Sequence, residues 1–155
     1  MRMEGVEGLE RPRPGLPLPV QDLGVYERHG GHTLRRHVNV TADDVLHRIV
    51  AGGVAGDGLF VDRETAQRCI RSAMNRRADS IRSWLRGRDK GAPYVFDEDM
   101  HEVIGRSLTW ADVQRGLTVP HPVSGVRLVL RRRSELPGGF TVVTAYPARA
   151  RRSQR

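Results

Sequence analysis

The order of the hydrophobic patterns constrains the fold of this chain more than any other feature. Between residues 32 and 86 apolar residues recur at helical spacing, apart from one short run at residues 59–61, whereas between residues 94 and 146 they form short runs rich in β-branched and aromatic residues. Helices followed by strands are typical of an α+β fold with a mainly antiparallel sheet. We therefore predict N-terminal helices packed on such a sheet.

Capping residues place the predicted helices. Thr41 and Asp44 have the spacing of a capping box, which begins a helix that ends at Gly52-Gly53. Asp62 is the predicted N-cap of a helix over residues 63–76, and a shorter helix is predicted over residues 32–38. The predicted strands cover residues 59–61, 94–96, 102–108, 126–130 and 139–146, with a hairpin turn at Pro137-Gly-Gly139.

Both ends of the chain differ in composition from its middle. The proline-rich run from Arg11 to Pro19 cannot form a helix interior or a central strand, because proline lacks the backbone N–H. The last residues are mainly arginine with almost nothing apolar. We therefore predict a flexible linker over residues 1–28, a folded domain over 29–148 and a basic tail over 149–155.

Cys69 is the single cysteine, so no intramolecular disulfide can form. It shares an apolar helix face with Ala66, Ile70 and Ala73, which indicates a buried structural thiol and not a nucleophile. The domain is therefore expected to be held together by its hydrophobic core alone.

The charge of the chain indicates a polyanionic partner. Lys and Arg number 26 against 18 Asp and Glu, the net charge is +8, and Lys90 is the only lysine. Arginine forks suit bidentate phosphate contacts, so nucleic acid is a better candidate than a membrane. No stretch approaches the ~20 apolar residues that span a bilayer. We expect a monomer that does not enter membranes.

The same charge also fits a non-catalytic module that binds RNA or DNA through the Arg-rich helical region 63–86. An aromatic content of 5% argues against this alternative, because proteins that bind single strands stack bases on aromatic side chains.

One of the six histidines, His37, is a candidate catalytic residue on its position alone. Its spacing places it on the helix face that also carries Leu34 and Val38, at the edge of the core, where a ring can be oriented and still reach a ligand. His32, beside the glycine pair at the start of the same helix, is the rival assignment.

Two separated segments resemble a known family. The string from Gly30 to Val38, followed by a helix that contains Arg48, is similar to the opening of the bacterial RNase A-like toxin domains, which end contact-dependent growth inhibition proteins and other polymorphic toxins. The resemblance continues through residues 59–70 and Trp84 and closes with residues 140–147, similar to the family's terminal strand. It spans most of residues 30–147.

The resemblance implies a ribonuclease with His37, Arg48, Thr144 and Tyr146 as catalytic residues. In the reaction that it implies, the 2′-hydroxyl attacks the adjacent phosphorus and leaves a 2′,3′-cyclic phosphate, with His37 as general base. Arg48 and Thr144 would bind the phosphate, and Tyr146 would either protonate the leaving group or orient the phosphate. Thr144 and Tyr146 are two residues apart, so they share one face of a strand.

The remaining site residues are expected to bind substrate or to lie outside the site. His32, Arg68 and Arg71 are candidate substrate-binding residues. No cofactor is expected, and no metal site is expected because no carboxylate or His/Cys cluster is evident. The acidic run 97–99 is interpreted as a solvated loop.

The resemblance also implies a biological setting. The expected partners are an RNA substrate and a cognate immunity protein with an acidic surface, which the producing cell needs for protection. The domain is expected to be delivered into a target cell and to act in its cytoplasm. The alternatives are the non-catalytic binding module and a toxin-derived interaction protein that has lost its activity.

Overall fold

The computed structural model describes residues 17–151. Within this range the chain forms two three-stranded antiparallel sheets with helices packed on them, which confirms the predicted α+β class. One sheet has the strand order β1-β3-β4 and the other β2-β5-β6. The elements in chain order are α1 (Leu23–Glu27), α2 (Thr33–His37), α3 (Ala42–Val50), β1 (Gly56–Phe60), α4 (Arg63–Arg76), α5 (Ala78–Arg86), β2 (Tyr94–Asp99), β3 (Gly105–Thr109), α6 (Trp110–Gln114), β4 (His121–Val123), β5 (Gly125–Arg132), a 3₁₀ turn (Pro137–Gly139) and β6 (Phe140–Ala148).

The helix starts follow the predicted caps. The Thr41 hydroxyl accepts from the Asp44 amide at 3.1 Å, and the Asp44 carboxylate accepts from the Thr41 amide at 2.8 Å, so the capping box is complete. The Asp62 carboxylate accepts from the Thr65 amide at 2.7 Å. α4 therefore runs over residues 63–76 as predicted, because both its N-cap and its apolar face are local signals.

The hairpin of β5 and β6 sets which residues face outward near the end of the chain. Gly138 and Gly139 have φ of 80° and 83° in the predicted turn, a backbone conformation that glycine adopts readily. The register pairs Arg127 with Tyr146 and Val129 with Thr144, with a bulge just beyond. Thr144 and Tyr146 therefore lie on the outer face of the sheet, opposite its buried face.

Two apolar clusters form the core of the described part of the chain. The larger one lies between α4, α5 and the inner face of the β2-β5-β6 sheet and includes Cys69, Ile81, Leu128 and Phe140, each fully buried. The prediction of a buried thiol is confirmed. The smaller one joins Val45 and Ile49 of α3 to Leu59 and Leu108 of the β1-β3-β4 sheet.

The folded part begins before the predicted boundary at residue 29. Leu18, Val20, Leu23 and Tyr26 are buried in the larger cluster, and α1 starts at Leu23 behind an Asp22 N-cap. Proline prevents a helix or central strand at residues 17–19, but it does not prevent the neighbouring apolar side chains from packing. Residues 1–16 of the predicted linker and 152–155 of the predicted tail lie outside the described residues.

Two further sequence interpretations are corrected by the structure. The acidic run 97–99 lies in β2 and not in a solvated loop: Asp97 pairs with Arg127 at 3.0 Å and Glu98 with Arg77 at 2.6 Å. These carboxylates occupy strand positions because arginines on neighbouring elements neutralise them. Arg149, assigned to the tail, pairs with the buried Asp112 at 3.0 Å.

No helix in residues 17–151 has the length and apolar character needed to cross a membrane.

Candidate active site

His37 is the last residue of α2 and one of the few buried polar side chains in residues 17–151, with 6% of its surface exposed. Its Nδ1 atom lies 2.9 Å from the Gly58 carbonyl oxygen and 3.1 Å from Asp57 Oδ1. Both partners are acceptors, so Nδ1 carries the proton that it donates to them. In the neutral ring the other nitrogen, Nε2, then has no proton and can accept one.

Asp57 is a residue that the sequence interpretation missed. It lies in β1, is 4% exposed, and accepts hydrogen bonds from the Gly58 amide at 2.8 Å and from Arg48 Nε. Burial raises the pKa of this carboxyl, but hydrogen bonds from His37 and Arg48 outweigh burial and bring the pKa below its usual value. Asp57 is therefore a buried anion that orients His37.

The signal for Asp57 in the sequence is weak. The predicted strand began at Leu59, which left Asp57 in a loop, whereas β1 begins at Gly56. A Cβ atom at Gly58 would collide with the carbonyl oxygen of Pro147 in β6. An acid between two glycines at the start of a strand is the pattern that could have indicated a close approach of two backbones here.

Arg48, in the last turn of α3, is held next to His37 through Asp57. Its Nε donates to Asp57, and its Nη2 donates to the Arg36 carbonyl oxygen at 2.6 Å. The remaining nitrogen, Nη1, has no hydrogen-bond partner within residues 17–151, and 25% of the side chain is exposed. The guanidinium thus fixes the Asp57 carboxylate and still offers the NH₂ group of Nη1.

Thr144 and Tyr146 lie beside this cluster on β6. The Tyr146 ring centroid lies 5.1 Å from that of His37. The Thr144 hydroxyl is shielded from solvent and has no hydrogen-bond partner among the described residues. The structure therefore brings His37, Arg48 and Tyr146 together and places Thr144 two residues before Tyr146 on the same face of β6.

The hydroxyl of Tyr146 is kept protonated by its surroundings. Burial raises its pKa most, Arg127 opposes this effect, and the negative charges of Asp97 and Asp57 raise the pKa further. Asp97, Arg127 and Tyr146 are aligned across β2, β5 and β6 by the strand register. Arg127 donates two hydrogen bonds, of 3.0 and 3.1 Å, to the Asp97 carboxylate. Neither residue was identified from the sequence.

The three predicted substrate-binding residues separate into two groups. The ring of His32 lies 6.4 Å from that of His37, and its Nδ1 is buried with no partner in the described part of the chain. Burial, followed by the charge of Arg36, lowers the pKa of His32. Arg68 pairs with Glu102 at 2.9 Å, and Arg71 donates to the Val20 carbonyl oxygen.

The position of α4 explains why Arg68 and Arg71 are separate from His37. This helix packs on the inner face of the β2-β5-β6 sheet, whereas Thr144 and Tyr146 lie on the outer face. The prediction that the two arginines bind substrate therefore gains no support from the geometry. In residues 17–151 no three His, Cys, Asp or Glu side chains are grouped so that they could hold a metal ion.

Comparison with known proteins agrees with the geometry. The family model described as the bacterial CdiA-CT RNAse A domain matches residues 31–147. This range contains His37, Arg48, Asp57, Thr144 and Tyr146, which together are called the His37 cluster below. The crystal structure of a CdiA-CT/CdiI complex from Y. kristensenii is similar to this chain with a TM-score of 0.66 and 31% sequence identity. The match covers 76% of this chain and 99% of that one. No curated protein matches the chain significantly.

Proposed function

The chain belongs to the bacterial CdiA-CT RNase A domain family, a family of ribonuclease toxins of interbacterial competition, and from this premise we propose how it cleaves RNA. The reaction is an attack of the 2′-hydroxyl on the adjacent phosphorus without a metal ion. The observation that carries this proposal is the pair of acceptors on His37 Nδ1, since they leave Nε2 free to take a proton beside Thr144 and Tyr146.

The first half of the reaction uses His37 as general base. Its Nε2 removes the proton of the 2′-hydroxyl as the new bond from O2′ to phosphorus forms. The P–O5′ bond then breaks, which yields a 2′,3′-cyclic phosphate and a free 5′-hydroxyl. DNA lacks the attacking hydroxyl and is not a substrate.

The charge that develops on the phosphate oxygens needs donors that do not lose their own protons. Arg48 keeps its charge at all relevant pH values, and its free Nη1 supports a contact with the phosphate. The unpartnered hydroxyl of Thr144 supports a second hydrogen bond to the same group.

We assign Tyr146 as the donor of the proton that the 5′ oxygen takes up. Its ring lies against His37, and its raised pKa keeps the hydroxyl protonated at neutral pH. β6 contains no histidine that could donate this proton instead.

The proposed partner is an acidic immunity protein. The similar structure from Y. kristensenii is a complex of CdiA-CT with CdiI, and this chain has a net charge of +8. Opposite charge accelerates capture of the toxin in the cell that makes it. An acidic small protein encoded next to this chain should bind the purified domain and block cleavage. Failure to bind would contradict this partner.

We propose the cytoplasm of a target cell, where RNA is accessible, as the site of action.

The test is RNA cleavage by the purified protein in the presence of EDTA. Wild-type protein should cleave RNA and leave 2′,3′-cyclic ends, and His37→Ala should lose this activity while staying folded. His47→Ala is a matched control, because His47 is an exposed histidine of α3, and it should cleave like wild type. Loss of activity in EDTA would refute metal independence. Intact RNA together with retained RNA binding would support the non-catalytic alternative.

A further inference from the structure

A second basic site lies beside the His37 cluster. A cavity of about 340 Å³ opens between the loop that follows α1 and the hairpin of β5 and β6. Its polar lining comes from His29, the three consecutive arginines 131–133 and Thr141. None of the residues that line it is acidic. A concave site with this charge favours an anion.

One of the three arginines is available to a ligand. Arg131 is exposed and has no hydrogen-bond or ion-pair partner among residues 17–151. Arg133 donates to the His29 carbonyl oxygen at 2.8 Å and pairs with Glu135, and Arg132 places its guanidinium over the Trp84 ring at 4.9 Å. Arg133 therefore forms part of the cavity wall, the Arg132 side chain lies on the opposite face of the sheet against Trp84, and Arg131 remains free to bind.

A buried hydroxyl in the lining lacks a partner. The Thr141 side chain is 3% exposed, yet its hydroxyl has no hydrogen-bond partner in the described residues. A buried donor without an acceptor is unfavourable. An oxyanion in the cavity would accept from this hydroxyl and from Arg131, which the register places opposite Thr141.

The position of the cavity relates it to the proposed cleavage site. Val143 lines the cavity, and its carbonyl oxygen accepts from the His32 amide at 2.8 Å. The next residue is Thr144 of the His37 cluster. Thr141 and Thr144 are three residues apart on β6, which is roughly 10 Å of strand. One extended nucleic acid strand can therefore reach both places.

We propose that this cavity binds a second phosphate of the RNA substrate, a neighbour of the phosphate that is cleaved. The inference rests on the proposed function and deepens it, because it makes the enzyme prefer RNA chains over a dinucleotide. A dinucleotide carries only the scissile phosphate and leaves the cavity empty.

The kinetic test compares two substrates and three variants. Arg131→Gln should lower kcat/KM on a hexanucleotide by about tenfold, the loss of one charge-assisted contact, and leave kcat/KM on a dinucleotide unchanged. Thr141→Val should lower kcat/KM on the hexanucleotide in the same selective way. Arg106→Gln is the matched control, since Arg106 is an exposed arginine of β3 in the other sheet, and it should change neither value. An equal loss on both substrates, or no loss by Arg131→Gln, would overturn the proposal.

The binding test does not depend on catalysis. A 2′-deoxy hexanucleotide is not cleaved, so its Kd can be measured on the full chain at several salt concentrations. Each phosphate contact to a single strand contributes a slope of about −0.7 to log K against log salt. Arg131→Gln should reduce the steepness by about that amount, and Arg106→Gln should not. A slope unchanged by Arg131→Gln would overturn the proposal.

The tests also distinguish the proposal from two other outcomes. In one the cavity binds only a free anion, and in the other the protein does not cleave RNA. If Arg131→Gln abolishes binding of inorganic phosphate but leaves hexanucleotide binding intact, the cavity is a site for a free anion and the proposal is wrong. If wild-type protein cleaves neither substrate but the change in slope is observed, the proposed function fails, while the cavity remains a phosphate site for nucleic acid.

Discussion

The Asp57→Asn substitution removes one negative charge behind His37 and keeps the shape of the side chain. In the native protein the two carboxylate oxygens accept from His37 Nδ1, Arg48 Nε and the Gly58 amide. An amide has one acceptor oxygen and one NH₂ group, so the asparagine side chain must turn a donor toward either His37 or Arg48. His37 Nδ1 and Arg48 Nε are themselves donors, so in either orientation one donor faces another.

The effect on activity follows from the second acceptor on His37. A donor turned toward Nδ1 favours the tautomer with its proton on Nε2, which cannot act as a base. Where a carboxylate alone fixes the ring, the wrong tautomer lowers kcat by about 10⁴-fold. Here the Gly58 carbonyl oxygen, at 2.9 Å, still accepts from Nδ1. We therefore expect kcat/KM to fall by only about 10–100-fold.

The effect on stability follows from the charge left on Arg48. In either orientation of the asparagine this guanidinium loses its partly buried, charge-assisted hydrogen bond to a carboxylate, which contributes about 2 kcal/mol to the free energy of unfolding. For a domain of this size Tm should fall by roughly 4–8 °C. Activity is therefore measured well below the new Tm, on a dinucleotide substrate, with folding monitored by circular dichroism.

Asp112→Asn is a matched control for this experiment. Asp112 is also a buried carboxylate, and it accepts from Arg115 at 2.7 Å and from Arg149 at 3.0 Å, apart from the His37 cluster. This variant should lose stability and keep its kcat/KM. Wild-type activity in Asp57→Asn would refute the positioning role of Asp57. A loss of about 10⁴-fold, the value where one carboxylate acts alone, would refute the role of the Gly58 carbonyl.

Three other properties follow from the same contacts. Burial raises the pKa of the Cys69 thiol to about 11, so iodoacetamide should alkylate it at neutral pH only after the protein is unfolded, as mass spectrometry can show. Tyr146→Phe should reduce kcat, measured by stopped flow, by about 10²–10⁴-fold because the hydroxyl donates the proton to the 5′ oxygen. A smaller loss of kcat would mean that the hydroxyl only contacts the phosphate. The pKa values of Asp57 and Asp112 are lowered in the folded state, so their stabilisation is present above the unfolded pKa and disappears as pH falls through the folded values. The free energy of unfolding measured in urea should therefore decrease below about pH 5, and less steeply in the double Asp→Asn variant.

Local signals in the sequence predict much of this fold. The starts of α3 and α4 follow from Thr41 and Asp62, whose side chains bond to amides three residues ahead. The buried position of Cys69 follows from the apolar spacing of α4 alone. Such features depend on residues within one or two turns of each other, which is why a single sequence contains them.

The orienting groups of the site depend on contacts that no local pattern contains. Asp57 meets His37 across 20 positions of the chain, and Arg127 meets Asp97 across 30. The acidic run 97–99 carries the charge pattern of a loop, and only the pairing of β2 with β5 shows that Asp97 has a cation opposite it. The family resemblance supplied the candidate catalytic residues but not the carboxylates that contact them.

The meeting of the two sheets determines the geometry at His37. Pro147 lies where a Cβ atom on Gly58 of β1 or Gly105 of β3 would collide with it, so two glycines allow the end of β6 to approach the β1-β3-β4 sheet. Gly58 supplies the carbonyl oxygen that orients His37, and Pro147 follows Tyr146 directly. The close approach that brings Gly58 to Pro147 therefore also sets the 5.1 Å between the rings of His37 and Tyr146. A small disulfide-free domain can hold the proposed base and proton donor in register in this way, because Gly58 meets backbone atoms of Pro147 and not a flexible side chain.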